Sequence, residues 1–171
     1  MSVDLVAIRD AYTALVEQFD TVLLGTVSNN GLPDASYAPY VYVDGYYYVY
    51  VSELATHTGN LLNTDKVSLL FIENEQVAKS LFARRRVTYQ GLALEIPRGE
   101  NRFVEVLDTF ATQFGSIIKV LRDLEDFRLI QISPASGRFV AGFGKAYDIA
   151  GNTLGDVRHI NDQGHGRRRQ A

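Results

Sequence analysis

Apolar residues recur at Leu5, Ile8, Tyr12, Leu15 and Phe19, the three-and-four spacing of an amphipathic helix with one buried face, and Ser2 is placed to cap it. Residues 21–28 are rich in β-branched side chains and predict a strand. It is closed by Asn29-Asn30-Gly31, residues that tolerate positive φ and suit a hairpin turn. A second strand follows over 34–43. Asp44-Gly45 then sits directly between Tyr40-Val41-Tyr42-Val43 and the run from Tyr46 to Val51, the clearest short hairpin signal in the chain. Residues 53–63 read as a connecting helix and 67–73 and 84–95 as strands, with Pro97-Arg98-Gly99 marking a break. From Phe103 to Leu121 apolar side chains return every three or four positions, so a helix or helix pair covers one face of the sheet. Residues 127–132 and 138–149 return to strand.

This order predicts an α+β, mainly β architecture, a small antiparallel barrel with helices packed outside, in a single domain over 1–171. The stretch 151–171 is polar and punctuated by Gly151, Gly155, Gly164 and Gly166, and on its own reads as a flexible tail. There is no internal repeat and no low-complexity segment.

Composition narrows the chemistry. The chain has no cysteine, which removes disulfides, thiolate metal sites and thiol nucleophiles together, so any redox chemistry needs a borrowed cofactor. No run of 18 apolar residues occurs, and Met1-Ser2-Val3-Asp4 lacks the features of a signal peptide; a cytoplasmic protein without a membrane partner is expected. A formal charge of −3 gives no general attraction to nucleic acid. Ten Tyr and nine Phe without a Trp make the chain aromatic-rich, and the tyrosine-rich strands read as core and dimer surface or as a flat wall for a planar ligand.

Imidazole ligates haem iron and zinc, so His57, His159 and His165 are each candidates. His159 and His165 match no zinc spacing, and spacing alone makes His165 an exposed tail residue. Arg84-Arg85-Arg86 opens a predicted strand, where alternation sends Arg84 and Arg86 to one face. Two guanidinium groups there can fork onto phosphate or carboxylate oxygens, or simply charge a sheet edge against aggregation. Arg167-Arg168-Arg169 reads as a solvated end. Gly142-Phe143-Gly144 lacks the third glycine and the following helix of a dinucleotide loop. No Ser-His-Asp arrangement, helical His-Glu-x-x-His or close carboxylate pair supports hydrolysis.

Residues 33–40, 67–73, 81–89 and 138–147 together resemble the HutZ/HugZ-type haem utilisation proteins, relatives of pyridoxamine-phosphate oxidase and the FMN-binding split barrels. The segments Phe82-Ala83-Arg84 and Gly142-Phe143-Gly144-Lys145-Ala146-Tyr147 belong to this branch rather than to split barrels at large. The resemblance implies a six-stranded antiparallel split β-barrel with flanking helices, working as a homodimer with haem at the subunit interface and residues 151–171 folded over it. It implies that His165 ligates the haem iron and that Asp126, just before Phe127, hydrogen-bonds that imidazole; a carboxylate on the second ring nitrogen orients the ligand and raises its basicity. It also implies an active role for Arg86 toward propionates or oxygen, beside Arg84.

FMN-binding relatives carry basic residues in the segment that here reads Ser52-Glu53-Leu54-Ala55-Thr56-His57-Thr58-Gly59, where Thr56 and Gly59 hold positions expected to be basic. That departure weakens FMN and leaves His57 as a pocket residue. The function implied is O2-dependent haem degradation fed by an external electron donor; the alternatives are an FMN-binding oxidoreductase and a non-catalytic haem carrier or storage protein.

Overall fold

Eight strands and four helices make up the described residues, 4–150 and 155–160, of the computed structural model. Ser2 lies outside them. The first helix, α1 (Leu5–Val16), is capped by Asp4, whose carboxylate accepts the amides of Val6 at 3.0 Å and Ala7 at 3.2 Å. Strands β1 (Thr21–Val27), β2 (Pro33–Val43) and β3 (Tyr46–Ser52) form the expected meander. At the β2–β3 turn Asp44 and Gly45 both take positive φ, 52° and 89°, as a twist-matched hairpin demands.

Helix α2 (Thr56–Thr64) leads to β4 (Lys66–Ile72), and β5 (Arg86–Ile96) follows. The long periodic stretch is a helix pair, α3 (Asn101–Phe114) and α4 (Ile117–Arg122), broken at Gly115 with φ 77°. Strand order is β3-β2-β1-β4-β5-β6, and β6 also pairs with β3, so these six strands close into an antiparallel barrel.

Two expectations are corrected in the last third. Residues 127–132 and 138–149 are not two strands joined by a loop: β6 runs unbroken from Phe127 to Gly142, and the hairpin falls at Phe143-Gly144 before β7 (Lys145–Ala150). Ser133 to Gly137 looks like a turn because of its Pro and Gly. Pro134 instead faces Gly91, where the β5–β6 register shifts, and a bulge tolerates a residue that cannot donate a ladder hydrogen bond. Within the supposed tail, β8 (Asp156–His159) pairs with β7 and extends the sheet beyond the barrel. Four residues, of which only Val157 is apolar, carry too weak a pattern to announce a strand.

Two apolar clusters hold the fold. One fills the barrel with Leu24, Val49, Leu69, Phe71, Val87 and Ile130. The other lies outside, where Phe103, Leu107 and Phe110 of α3 pack on Val41, Tyr48 and Tyr50. Strand β3 is thus covered on both faces, so five consecutive residues, Tyr47 to Val51, are buried and its tyrosines are mostly core. Helix α2 closes one end of the barrel, with Asn60 Nδ2 donating to the buried Thr26 hydroxyl at 3.0 Å. No helix among the described residues is long and apolar enough to cross a membrane.

At Gly137, β6 passes so close to β5 that a Cβ would stand 2.6 Å from Tyr89 Cδ1 and 2.8 Å from the Thr88 carbonyl oxygen. Gly137→Ala is expected to cost about 1–3 kcal/mol in urea unfolding, as overpacking does. Gly99→Ala, with nothing within 4 Å, should stay within about 0.5 kcal/mol of the parent.

Candidate ligand site

Alternation along the barrel strands sends every second side chain outward, and register decides which of these meet. One cross-strand row on the outer face runs Tyr37, Leu23, Leu70, Thr88, Arg138 and Asp148 through five consecutive strand pairings. Leu23 is 44% and Tyr37 64% exposed, unusual for large apolar side chains on a sheet. A groove of about 470 Å³ lies over the apolar part, lined by Leu23, Ala35, Ser36, Tyr37 and Leu70. It reaches Thr88, which also lines a second groove of about 590 Å³ containing Arg86, Gln90, Arg138 and Asp148. The outer face is therefore a continuous trough, apolar at one side and carrying two guanidinium groups at the other.

Arg86 is the first residue of β5 and points into this trough; its Nη1 donates to the Arg84 carbonyl at 3.2 Å. The expectation that Arg84 and Arg86 share a strand face is corrected, because the strand begins only at Arg86. Arg84 turns back, its Nε donating to the Glu73 carbonyl at 2.9 Å and its Nη1 to Glu75 at 3.0 Å. Arg85 completes a clasp: its amide and its Nε donate to the two Glu73 carboxylate oxygens, each at 2.7 Å. Glu73, only 7% exposed, thus pins the two ends of the 74–85 loop together immediately before Arg86. Arg138 was not singled out from the sequence; its place beside Arg86 follows from register, and only the inward-facing Phe139 next to it could have hinted at the face it takes.

His57, on α2, is half-buried, with Nδ1 2.9 Å from the Ser36 hydroxyl at the apolar end of the trough. Burial lowers its pKa below the usual histidine value, partly offset by the Asp34 carboxylate, so the ring is neutral at neutral pH. His159 packs edge-on against Tyr147 at 5.0 Å. His165 and Arg167 to Arg169 lie outside the described residues. Among the described residues no three His, Asp or Glu side chains cluster as metal ligands would.

Asp126 stands at the far end of β6. Its Oδ2 accepts the Ser52 hydroxyl at 2.6 Å, its carbonyl accepts the Glu53 amide at 2.8 Å, and among the described residues no second side chain reaches its carboxylate. The loop is held by Arg98, whose guanidinium donates to the carbonyls of Arg122 at 2.8 Å, Phe127 at 3.1 Å and Leu124, and to the Tyr50 hydroxyl at 3.2 Å. Sequence reading saw Arg98 only as part of a break. The strand places Asp126 and Arg86 apart: Asp126 precedes Phe127, whereas Arg86 pairs with Val140, so at roughly 3.3 Å per residue they are on the order of 40 Å apart along the strand.

Burial alone would raise the Glu73 carboxyl, but the Arg85 amide and guanidinium outweigh it and hold the carboxyl below the usual carboxylate range. A lowered native value gives stabilisation that is complete above the ordinary glutamate value and is lost as pH falls through the lowered one. Glu73→Gln is expected to speed amide exchange over residues 74–86 roughly tenfold, since bonds to a charged acceptor are worth about 1.5–3 kcal/mol. The same variant should lose the acid sensitivity of that loop in exchange measured by mass spectrometry.

Residues 8–141 match the family model described as pyridoxamine 5'-phosphate oxidase. The chain is 40% identical over 145 residues to the heme oxygenase HutZ of Vibrio cholerae, spanning 85% of this chain and 82% of HutZ. A crystal structure of the Vibrio cholerae HutZ, there described as a heme storage protein, superposes with a TM-score of 0.70 at 35% identity, covering 73% of this chain and 88% of that one. Campylobacter jejuni ChuZ superposes with a TM-score of 0.85 at 33% identity, covering 99% of this chain and 68% of ChuZ.

Proposed function

Because the chain belongs to the pyridoxamine 5'-phosphate oxidase family and, within it, to the haem-utilisation branch that includes HutZ, we propose that it binds haem and degrades it with O2 in the cytoplasm. The observation that carries this reading is the trough on the outer barrel face. Its apolar side, Leu23, Leu70 and Tyr37, suits a flat porphyrin, and Arg86 and Arg138 at the other side suit two propionates. Haem held there supplies the O2 chemistry, and electrons come from an external donor, because a chain without cysteine has no thiols to provide them.

In this reading His165 ligates the iron. Asp126, with only one oxygen engaged by Ser52, keeps an acceptor for the second nitrogen of that imidazole and so fixes the ring's tautomer and basicity. Arg86, steadied by the Glu73 clasp, binds a propionate or steers the oxygen side. Arg84 contributes through the clasp, and neutral His57 borders the apolar pocket through Ser36.

A porphyrin is no wider than a few strand spacings of about 4.8 Å, so the Asp126 and Arg86 ends of β6 do not both touch one ligand within one chain. A homodimer in which the second copy supplies the opposite end resolves this, and the exposed apolar face around Leu23 and Tyr37 gives it an interface.

The competing ligand is FMN, favoured by the wider family. Its phosphate needs cations, and the first turn of α2, Thr56 to Gly59, offers none, so the phosphate would depend on Arg86 and Arg138.

Parallel titrations with hemin and FMN decide between them: a saturable Soret band is expected, whereas tight FMN binding without a Soret change would reclassify the chain as a flavoprotein. Arg86→Ala and Arg138→Ala should each weaken hemin binding roughly tenfold, the loss of one charge-assisted contact. His165→Ala should abolish or shift the Soret band, and an unchanged spectrum would remove His165 as the ligand. With ascorbate and O2, Asp126→Asn should keep the bound spectrum while the band decays more slowly than in the parent. Haem that binds but never decays in the parent would mark a storage protein.

A further inference from the structure

We propose that the tyrosines inside the barrel form a route carrying oxidising equivalents from β8 to the surface at Tyr42. The source of the oxidant rests on the haem reading; the route itself rests on the rings. From His159 the ring contacts run to Tyr147 at 5.0 Å, Phe139 at 6.3 Å and Tyr12 at 6.0 Å. Tyr12 lines a cavity of about 180 Å³ together with Tyr89, Tyr47 and Tyr42. On its far wall Tyr89 contacts Tyr47 at 5.7 Å, and Tyr47 contacts Tyr42 at 4.8 Å. Tyr12, Tyr47, Tyr89 and Tyr147 are at most 5% exposed, whereas Tyr42 is 58% exposed, so the series begins beside the segment that leads to His165 and ends in solvent.

Packing alone does not explain these hydroxyls. Phenylalanine would fill the same volume without the cost of burying a polar group that needs a partner. Here several phenols converge on one cavity, and the rings of Tyr47 and Tyr89 pack against each other beside it. The chain has neither Cys nor Trp, so its tyrosines are the most readily oxidised side chains inside the barrel.

The oxidant class is hydrogen peroxide, a by-product expected where haem, O2 and a reductant meet. One peroxide and two phenols give two waters and two phenoxyl radicals, each phenol losing one electron and its O–H proton. Burial pushes the phenols of Tyr12, Tyr47 and Tyr89 above the ordinary tyrosine value, so each is protonated at neutral pH and must release its proton when oxidised. In this proposal the proton passes into the cavity, whose lining includes the carboxylate-bearing Glu17, and is held there. Transfer of the hole to Tyr42 restores the inner phenol with that proton, and a one-electron reductant in solution, with a proton from water, restores Tyr42.

The test uses the haem-free chain. A ruthenium polypyridyl photo-oxidant is attached through Arg158→Cys on β8, a clean labelling site because the chain has no other cysteine. After flash oxidation with a spin trap present, mass spectrometry locates the adducts. An adduct is expected at Tyr42. Tyr12→Phe, which keeps the ring contact with Phe139, should lower it severalfold while the adduct at Tyr147 rises. An adduct at Tyr42 that Tyr12→Phe does not change, or adducts that never pass Tyr147, would overturn the route. With no haem in the experiment, failure to bind hemin and failure of the route are read separately.

Discussion

The pairing of β3 with β6 is the constraint on which the rest of the molecule depends. It joins the two ends of a six-strand sheet, removes both edges at once, and forces every second side chain either into a shared interior or onto one outer face. Strand β6 bears most of the demand. It pairs with β3 at its start, β5 along its middle and β7 at its end, and the register shift opposite Gly91 lets one strand bend enough to serve all three.

The chemical groups inherit that geometry. Arg86 and Arg138 are neighbours only because Thr88 pairs with Arg138, and Asp126 is remote from both because it stands at the other end of the same strand. Polar side chains then fix what the strands place. Glu73 ties the loop before Arg86, and Arg98 ties the loop carrying Asp126, each by saturating backbone groups with charged partners. The two clasps are similar in logic and lie at opposite ends of the barrel.

Most of this was legible in the sequence where local rules act. The Asp44-Gly45 hairpin, the amphipathic α1 and α3, and the meander carry their own periodicity and turn chemistry. What was not legible depends on partners distant in sequence. Pro134 and Gly137 look like a loop until β5 is placed beside them. Val157 belongs to a strand only because Ile149 pairs with it. Arg84 and Arg86 alternate on paper, but Glu73 draws Arg84 out of the strand. Arg138 and Arg98 gave no signal, because their importance lies in the acceptors and neighbours the fold brings to them. The resemblance supplied Asp126 and Arg86 together, and only the structure shows that one chain holds them apart.

Closing a barrel removes sheet edges, but among the described residues adding β7 and β8 to its side restores one. An open edge is a template on which further copies can add strands without limit. Here the edge strand has four residues, and Asp156 and Arg158 put opposite charges along it, with Arg158 directly across from Asp148. A short, charged edge gives an incoming strand little ladder to extend and charges to desolvate. Among the described residues the extension therefore ends its own sheet, and the character of β8 opposes the growth of fibres along it.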